Sequence, residues 1–276
     1  MGYIFDGKTE SKNILDKVRK SLETSGNKSS LGIIHAGTSA KQAVFTKLKK
    51  DIAESLGIHC EIFSEKESAI TEELTTKIAD IASKFDGVLV QLPLPAQIDR
   101  YAILNSIPYE KDVEGLCSRR MGEVCQTETK IYSPVAKAVC WTLEKAVQQV
   151  KLPKTSNHCV IIGNSYLVGR PLGQVLSRAG YTVTICDTEA ENLNKYTQNA
   201  DILVSCTGIK NLIKPDMVKD GVIAIDVGFD LDKTNRIFAD MDPNIAEKSA
   251  FFSPVPGGIG PLTIAFIFEN LIALKS

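Results

Sequence analysis

The chain has 276 residues, 43% of them hydrophobic, with 32 Lys/Arg against 33 Asp/Glu and a formal net charge of -1. That length and apolar content suffice for one large or two ordinary globular domains, and the balanced charge gives no basic field for nucleic acid and no polyanionic tail, so the expected ligand is a small molecule. No apolar run reaches membrane-spanning length, and Met1-Gly-Tyr-Ile-Phe-Asp-Gly7 lacks the basic and apolar regions of a secretion signal, so a cytoplasmic protein without a membrane partner is expected.

An amphipathic helix is expected over Ser11–Glu23, where Ile14, Leu15, Val18 and Leu22 recur at helical spacing. Alternation follows: strand Leu31–His35, helix Gln42–Leu56, strand Cys60–Phe63, helix Thr71–Ser83 and strand Gly87–Leu92, a β-α-β-α-β unit. Pro93–Thr129 is less regular and carries several proline and glycine loop signals; a helix then spans Val135–Val150. A second series has strand Cys159–Ile162, helix Val168–Ala179 and strands Thr182–Cys186, Ile202–Cys206 and Val222–Val227, short buried strands of a parallel sheet. The last helix, Leu262–Leu274, follows this sheet and is expected to return to the first domain. The fold class is therefore α/β with two domains: an N-terminal α/β domain of 1–132 plus 259–276, and a Rossmann-like parallel-sheet domain of 133–258.

Seven cysteines are an odd number, and none forms a C-x-x-C pair, so they read as reduced thiols. The three histidines, His35, His59 and His158, are scattered, and no cluster has zinc spacing, so no metal site is expected.

Val160-Ile-Ile-Gly-Asn-Ser-Tyr-Leu-Val-Gly-Arg-Pro171 reads as a strand, a tight turn and a helix start, the arrangement that sets a pyrophosphate at a helix N-terminus. Its pattern is Gly163-x-Ser165-x-x-x-Gly169, with Ser165 in place of the middle glycine and a stretched last interval; Asn164 follows the first glycine. The next strand ends in Asp187-Thr188, where a carboxylate accepts hydrogen bonds from a ribose diol and repels a 2′-phosphate. Asp187 and Asn164 thus argue for NAD, while Thr188 or Arg170 offers an alternative route to a phosphate. An ordinary strand-to-helix turn, with Asp187 as a turn cap, fits the same residues. Thr207-Gly208 and Asp226-Val-Gly228 end later strands at the edge where an open sheet binds its ligand. Ser253-Pro-Val-Pro-Gly-Gly-Ile-Gly-Pro-Leu-Thr263 packs three prolines and three glycines into a turn before an apolar helix, which puts bare backbone beside a ligand or simply opens the helix.

Four segments in order and at matching spacing, Gly87-Val-Leu-Val-Gln-Leu-Pro-Leu-Pro95, Glu110-Lys-Asp-Val-Glu-Gly115, Gly163-Asn-Ser-Tyr-Leu-Val-Gly-Arg-Pro171 and Pro254-Val-Pro-Gly-Gly-Ile-Gly-Pro261, resemble the methylenetetrahydrofolate dehydrogenase/methenyltetrahydrofolate cyclohydrolase family over nearly the whole chain. The resemblance implies oxidation of methylenetetrahydrofolate with NADP or NAD, hydrolysis of the methenyl cation to formyltetrahydrofolate, folate bound between the domains, and commonly a homodimer. It implies catalytic roles for Lys49 and Gln91, substrate binding by Phe45, Glu114, Pro256, Gly257 and Gly258, and cofactor binding by Gly163, Asn164, Ser165, Gly169, Asp187, Thr188, Thr207, Gly208, Asp226 and Gly228. Family usage is mostly NADP.

Three positions depart from the family pattern. Phe45 stands at a tyrosine position and keeps the aromatic face without the hydroxyl. Glu114 replaces an aspartate and reaches one methylene farther toward a pterin amidine edge. The hinge segment, usually Pro-Cys-Thr-Pro-x-Gly, reads Ser133-Pro-Val-Ala-Lys-Ala138. These departures leave open a dehydrogenase without hydrolase activity, and a non-catalytic folate or dinucleotide binder.

Overall fold

The computed structural model describes residues 2–26, 28–37, 40–152, 157–228, 230–231 and 237–275. In chain order the elements are β1 Tyr3–Ile4, α1 Gly7–Ser25, β2 Ser30–Ala36, α2 Ala40–Ser55, β3 His59–Glu65, α3 Thr71–Lys84, β4 Gly87–Gln91, α4 Arg100–Ser106, α5 Ser118–Gln126 and α6 Pro134–Val150. They continue as β5 His158–Ile162, α7 Gly169–Arg178, β6 Thr182–Cys186, α8 Leu193–Thr197, β7 Ile202–Ser205, β8 Ile223–Asp226, β9 Asp230–Leu231, β10 Ile237–Phe238, α9 Ile245–Lys248, β11 Phe251–Ser253 and α10 Ile259–Ala273. Two compact units result, Met1–Lys12 with Ser133–Thr263, and Asn13–Tyr132 with Ile264–Ser276.

In the second of these units β2 is central in a parallel sheet of order β3-β2-β4. One face packs Leu31, Ile33 and Leu89 with Ile267, Phe268 and Leu271 of α10. The other packs Ile34, Val88 and Val90 with Leu74, Ile78 and Ile81 of α3 and Ile103 of α4. A sheet covered on both faces makes its strands near-continuous apolar runs, which is why they are readable in the sequence. The stretch read as irregular holds two helices. Asp99 starts α4 by accepting the amides of Tyr101 and Ala102 at 2.9 and 3.2 Å. The buried positions of α5 are only Arg120 and Val124, so it shows no apolar stripe.

The other unit holds a six-stranded parallel sheet of order β1-β11-β8-β7-β5-β6. Strand order reverses at β5, between β6 and β7, so the crevice beyond the carboxyl ends of β5 and β7 is the ligand position of an open sheet. The outer strands β11 and β1 are too short to alternate visibly in the sequence. Their pairing, Tyr3 with Phe251, draws residues 1–12 into this unit and away from the N-terminal domain where the sequence reading put them. The return crossing lies after Thr263, inside α10, and not at residue 259. Helix α1 begins before Ser11 because Asp6 Oδ1 accepts the amides of Lys8 and Thr9 at 3.1 and 3.2 Å. At the variant hinge, Ser133 caps α6 by accepting the Ala136 amide at 3.4 Å, and its hydroxyl donates to Leu167 O at 2.7 Å. Among the described residues no helix is long and apolar enough to cross a membrane.

Candidate active site

Helix α2 follows the carboxyl end of β2 and carries Phe45 and Lys49 on one face. Strand β4 ends in Gln91, in register with His35 of β2. Lys49 Nζ donates to Gln91 Oε1 at 2.8 Å, and Gln91 Nε2 donates to Leu92 O at 2.9 Å, which turns the amide oxygen toward the lysine. Lys49 is only 8% exposed. Burial lowers its pKa, and the Glu114 carboxylate opposes that shift. Glu114 is half-buried, and burial pushes its carboxyl up to about 7, with Asp112 adding to the shift and Lys49 working against it. The site therefore combines a lysine less basic than usual with a carboxyl that titrates near neutrality, the condition for moving a proton at physiological pH.

Asp112 places Glu114. It is buried and accepts the amides of Glu114, Gly115 and Cys117 at 3.2, 2.9 and 2.8 Å. Asn270, wholly buried in α10, donates to Val113 O at 2.8 Å and Tyr132 O at 3.0 Å, holding the same loop. Sequence reasoning singled out neither residue. A lone amide inside the apolar Leu262–Leu274 helix was the one signal available for Asn270.

At the dinucleotide loop Gly163 has φ +117°, and a Cβ there would lie 2.8 Å from Cys206 O. Gly169 opens α7 so close to the loop that its Cβ would fall 1.9 Å from Gly163 O. Ser165 Oγ accepts the Val168 amide at 3.2 Å, so the serine at the middle-glycine position clasps the turn. Asn164 is exposed, and its main-chain oxygen accepts from Arg170 Nε at 3.1 Å. Asp187 is exposed at the end of β6; its Oδ1 accepts from Thr188 Oγ1 at 3.3 Å and from the Glu189 amide at 3.4 Å, so it also caps its own turn. Thr207 and Gly208 follow β7, with open space beside Gly208. Bare backbone, a helix start and a strand-order reversal coincide here, and these residues fit a dinucleotide.

Asp226 and Gly228, expected at the cofactor, serve the strand ends from inside. Asp226 is wholly buried and accepts the amides of Gly228, Met241 and Asp240 at 2.9, 2.8 and 3.4 Å. A Cβ on Gly228 would lie 1.8 Å from the Asp240 carboxylate, which occupies that space. In the Pro-Gly turn, Val255–Pro256 is cis, Gly257 has φ +104°, and the Gly258 amide donates to Pro254 O at 2.9 Å. Gly7 backs this turn: its amide donates to Gly257 O at 2.9 Å, and a Cβ on it would lie 1.9 Å from Gly258 O. The sequence reading did not single it out, because its partners lie at the other end of the chain.

A parallel-sheet unit with a dinucleotide crevice, together with a unit holding a buried lysine and a half-buried amide and carboxyl, defines a two-unit NAD(P)-binding α/β enzyme. Residues 5–114 match the catalytic domain of tetrahydrofolate dehydrogenase/cyclohydrolase, and residues 133–276 match that family's NAD(P)-binding domain. The bifunctional protein FolD of Lactobacillus helveticus is 34% identical over 281 residues, covering 99% of this chain and 98% of its own. The crystal structure of the bifunctional FolD methylenetetrahydrofolate dehydrogenase/cyclohydrolase of Campylobacter jejuni superposes with a TM-score of 0.92 at 32% identity, over 99% of this chain and 98% of that one. The Trypanosoma brucei methylenetetrahydrofolate dehydrogenase-cyclohydrolase, complexed with NADP cofactor and inhibitor, shares the fold at a TM-score of 0.91 and 23% identity, over 99% and 97% of the two chains. The chain belongs to the tetrahydrofolate dehydrogenase/cyclohydrolase family. It is a methylenetetrahydrofolate dehydrogenase and methenyltetrahydrofolate cyclohydrolase, with folate as substrate and a nicotinamide dinucleotide as cofactor.

Proposed function

We propose that Lys49 and Gln91 carry the hydrolytic step, that Phe45, Glu114 and the Pro256-Gly257-Gly258 turn hold the folate, and that Gly163, Asn164, Ser165, Gly169, Asp187, Thr188, Thr207 and Gly208 line a dinucleotide site that prefers NAD. The part-buried 2.8 Å hydrogen bond from Lys49 Nζ to Gln91 Oε1 carries this reading. When bound, the dinucleotide accepts the hydride lost by the methylene carbon, and the folate's own nitrogen stabilises the cation. The protein's work in that half is to align flat rings and exclude water: Phe45 offers an aromatic face, Glu114 a carboxylate for an amidine edge, and the Pro-Gly turn bare backbone. The hydrolytic half requires a proton to move as water adds to the methenyl carbon. Lys49, made less basic by burial, exchanges that proton while Gln91 Oε1 fixes its Nζ.

Supplying methylenetetrahydrofolate with NAD or NADP, and following reduced cofactor and methenyl absorbance separately, tests the assignment. Reduced cofactor without methenyl build-up is expected; no turnover with either cofactor would remove the assignment. Stoichiometric methenyl build-up would favour the second reading, a dehydrogenase alone, which the missing hydroxyl at Phe45 motivates.

The cofactor preference rests on the exposed Asp187 carboxylate with Glu189 beside it. The kcat/KM with NAD should exceed that with NADP, and Asp187→Ser should narrow the gap about tenfold, the equivalent of about 1.4 kcal/mol of repulsion removed. Equal use of the two cofactors by the unaltered protein would exclude this role. A cytoplasmic homodimer completes the proposal; light scattering that returns a monomer's mass would remove the dimer.

A further inference from the structure

We propose that Asp240 is a positioning residue for the dinucleotide: braced by Asp226, it gathers the end of β7 onto one carboxylate oxygen and fixes the Thr207-Gly208 turn against which the cofactor lies. The inference rests on the reading of that strand end as the cofactor site. Asp226, at the end of β8, sets the course of the following backbone by accepting the amides of Gly228, Asp240 and Met241 at 2.9, 3.4 and 2.8 Å. Asp240 Oδ2 then accepts from Ser205 Oγ, the Thr207 amide and Thr207 Oγ1 at 2.8, 2.6 and 2.8 Å. The two carboxyls thus tie neighbouring strands together just beneath the ligand edge. The absence of a side chain at Gly228 leaves room for Asp240.

Both aspartates have 0% exposure, and among the described residues neither makes an ion pair. Among the described residues Asp240 Oδ1 is buried without a donor. Among the described residues, the titratable groups that face the pair are the two carboxyls themselves and the Cys206 thiol, which burial pushes up to about 12 with Asp240 adding to the shift. Burial, with the Asp240 charge adding to it, pushes Asp226 up to about 7. For an acid raised in the folded state, the stabilising contribution is complete below its ordinary value of 3.8 and is lost as pH rises through about 7. Above that pH the buried Asp226 carboxyl is charged and the brace under Thr207 loosens.

Calorimetric titration of the full chain with NAD and with NADP at several pH values, beside dehydrogenase KM and kcat, tests this. Asp240→Ala removes the acceptor and should weaken binding of the preferred cofactor about tenfold or more, raising its KM by the same factor while the folate KM moves by less than about threefold. Asp240→Asn keeps an oxygen for Ser205 and Thr207 and removes the charge that adds to the upward shift of Asp226. It should bind cofactor about as tightly as the unaltered chain near pH 6.5, and lose the weakening that the unaltered chain shows as pH rises to about 8.5. Unchanged affinity in Asp240→Ala, or a pH dependence that survives in Asp240→Asn, would overturn the proposal. If Asp240→Ala does not fold, the Asp240→Asn profile decides alone. An unaltered chain that binds neither nucleotide would instead overturn the cofactor site itself, a result distinct from equal binding by the unaltered chain and Asp240→Ala.

Discussion

Lys49→Met is expected to slow methenyltetrahydrofolate hydrolysis by about 10²- to 10⁴-fold, the range that a positioned acid-base group supplies, and to slow hydride transfer far less. The difference follows from the chemistry of the two halves. Oxidation leaves a cation that the folate stabilises itself, so misplacing Lys49 affects alignment alone, whereas hydrolysis has a proton to move, and in the proposed mechanism Lys49, held by Gln91 Oε1, moves it. Methionine preserves much of the buried stem and removes the charge. In the coupled assay, the variant should release methenyl product in step with reduced cofactor. Lys49 also holds the Glu114 carboxyl down from a higher value. Because Glu114 is raised in the folded protein, its contribution to stability is complete below its ordinary 4.5 and lost as pH rises through about 7; without Lys49 that loss should extend to higher pH. Denaturant titrations across that range read the second effect independently of turnover. Hydrolysis unchanged in Lys49→Met would remove the lysine from the mechanism.

Gly169→Ala is expected to destabilise the protein by about 3 kcal/mol and to abolish dinucleotide binding. The added carbon would lie 1.9 Å from Gly163 O and 2.9 Å from Gly163 C. Both are backbone atoms at the end of β5, so no side chain can swing aside to relieve the clash. Either the helix start or the loop must move, and their close approach is what creates the proposed pyrophosphate position. A urea midpoint and a cofactor affinity both equal to those of the unaltered chain would show that the loop and helix do not depend on that approach.

The strands that were legible in the sequence, Gly87–Gln91 and His158–Ile162 among them, are buried on both faces and so appear as unbroken apolar runs. What stayed hidden was held by polar side chains acting over distance. The Asp99 cap and the buried Arg120 account for two helices where loop signals dominated. At the site, residues 49 and 91 meet only because β2 and β4 are neighbours, and no local pattern encodes that. Asp226 looked like a ligand from its place at a strand end, yet its burial turns it inward. Asp240 escaped notice because no motif surrounds it and its partners, Ser205 and Thr207, belong to another strand.

Neither unit is a continuous stretch of chain, and this constrains how the protein is made. As the polypeptide leaves the ribosome, Leu31, Ile33 and Leu89 emerge long before the residues of α10 that cover them, Ile267, Phe268 and Leu271. Tyr3 likewise waits for Phe251, far along the chain. Both cores therefore close only once β11 and α10 have emerged, a high-separation topology that folds slowly and leaves apolar surface uncovered until then. Cutting the gene at the boundary after Tyr132 would yield two fragments, each lacking part of its own core.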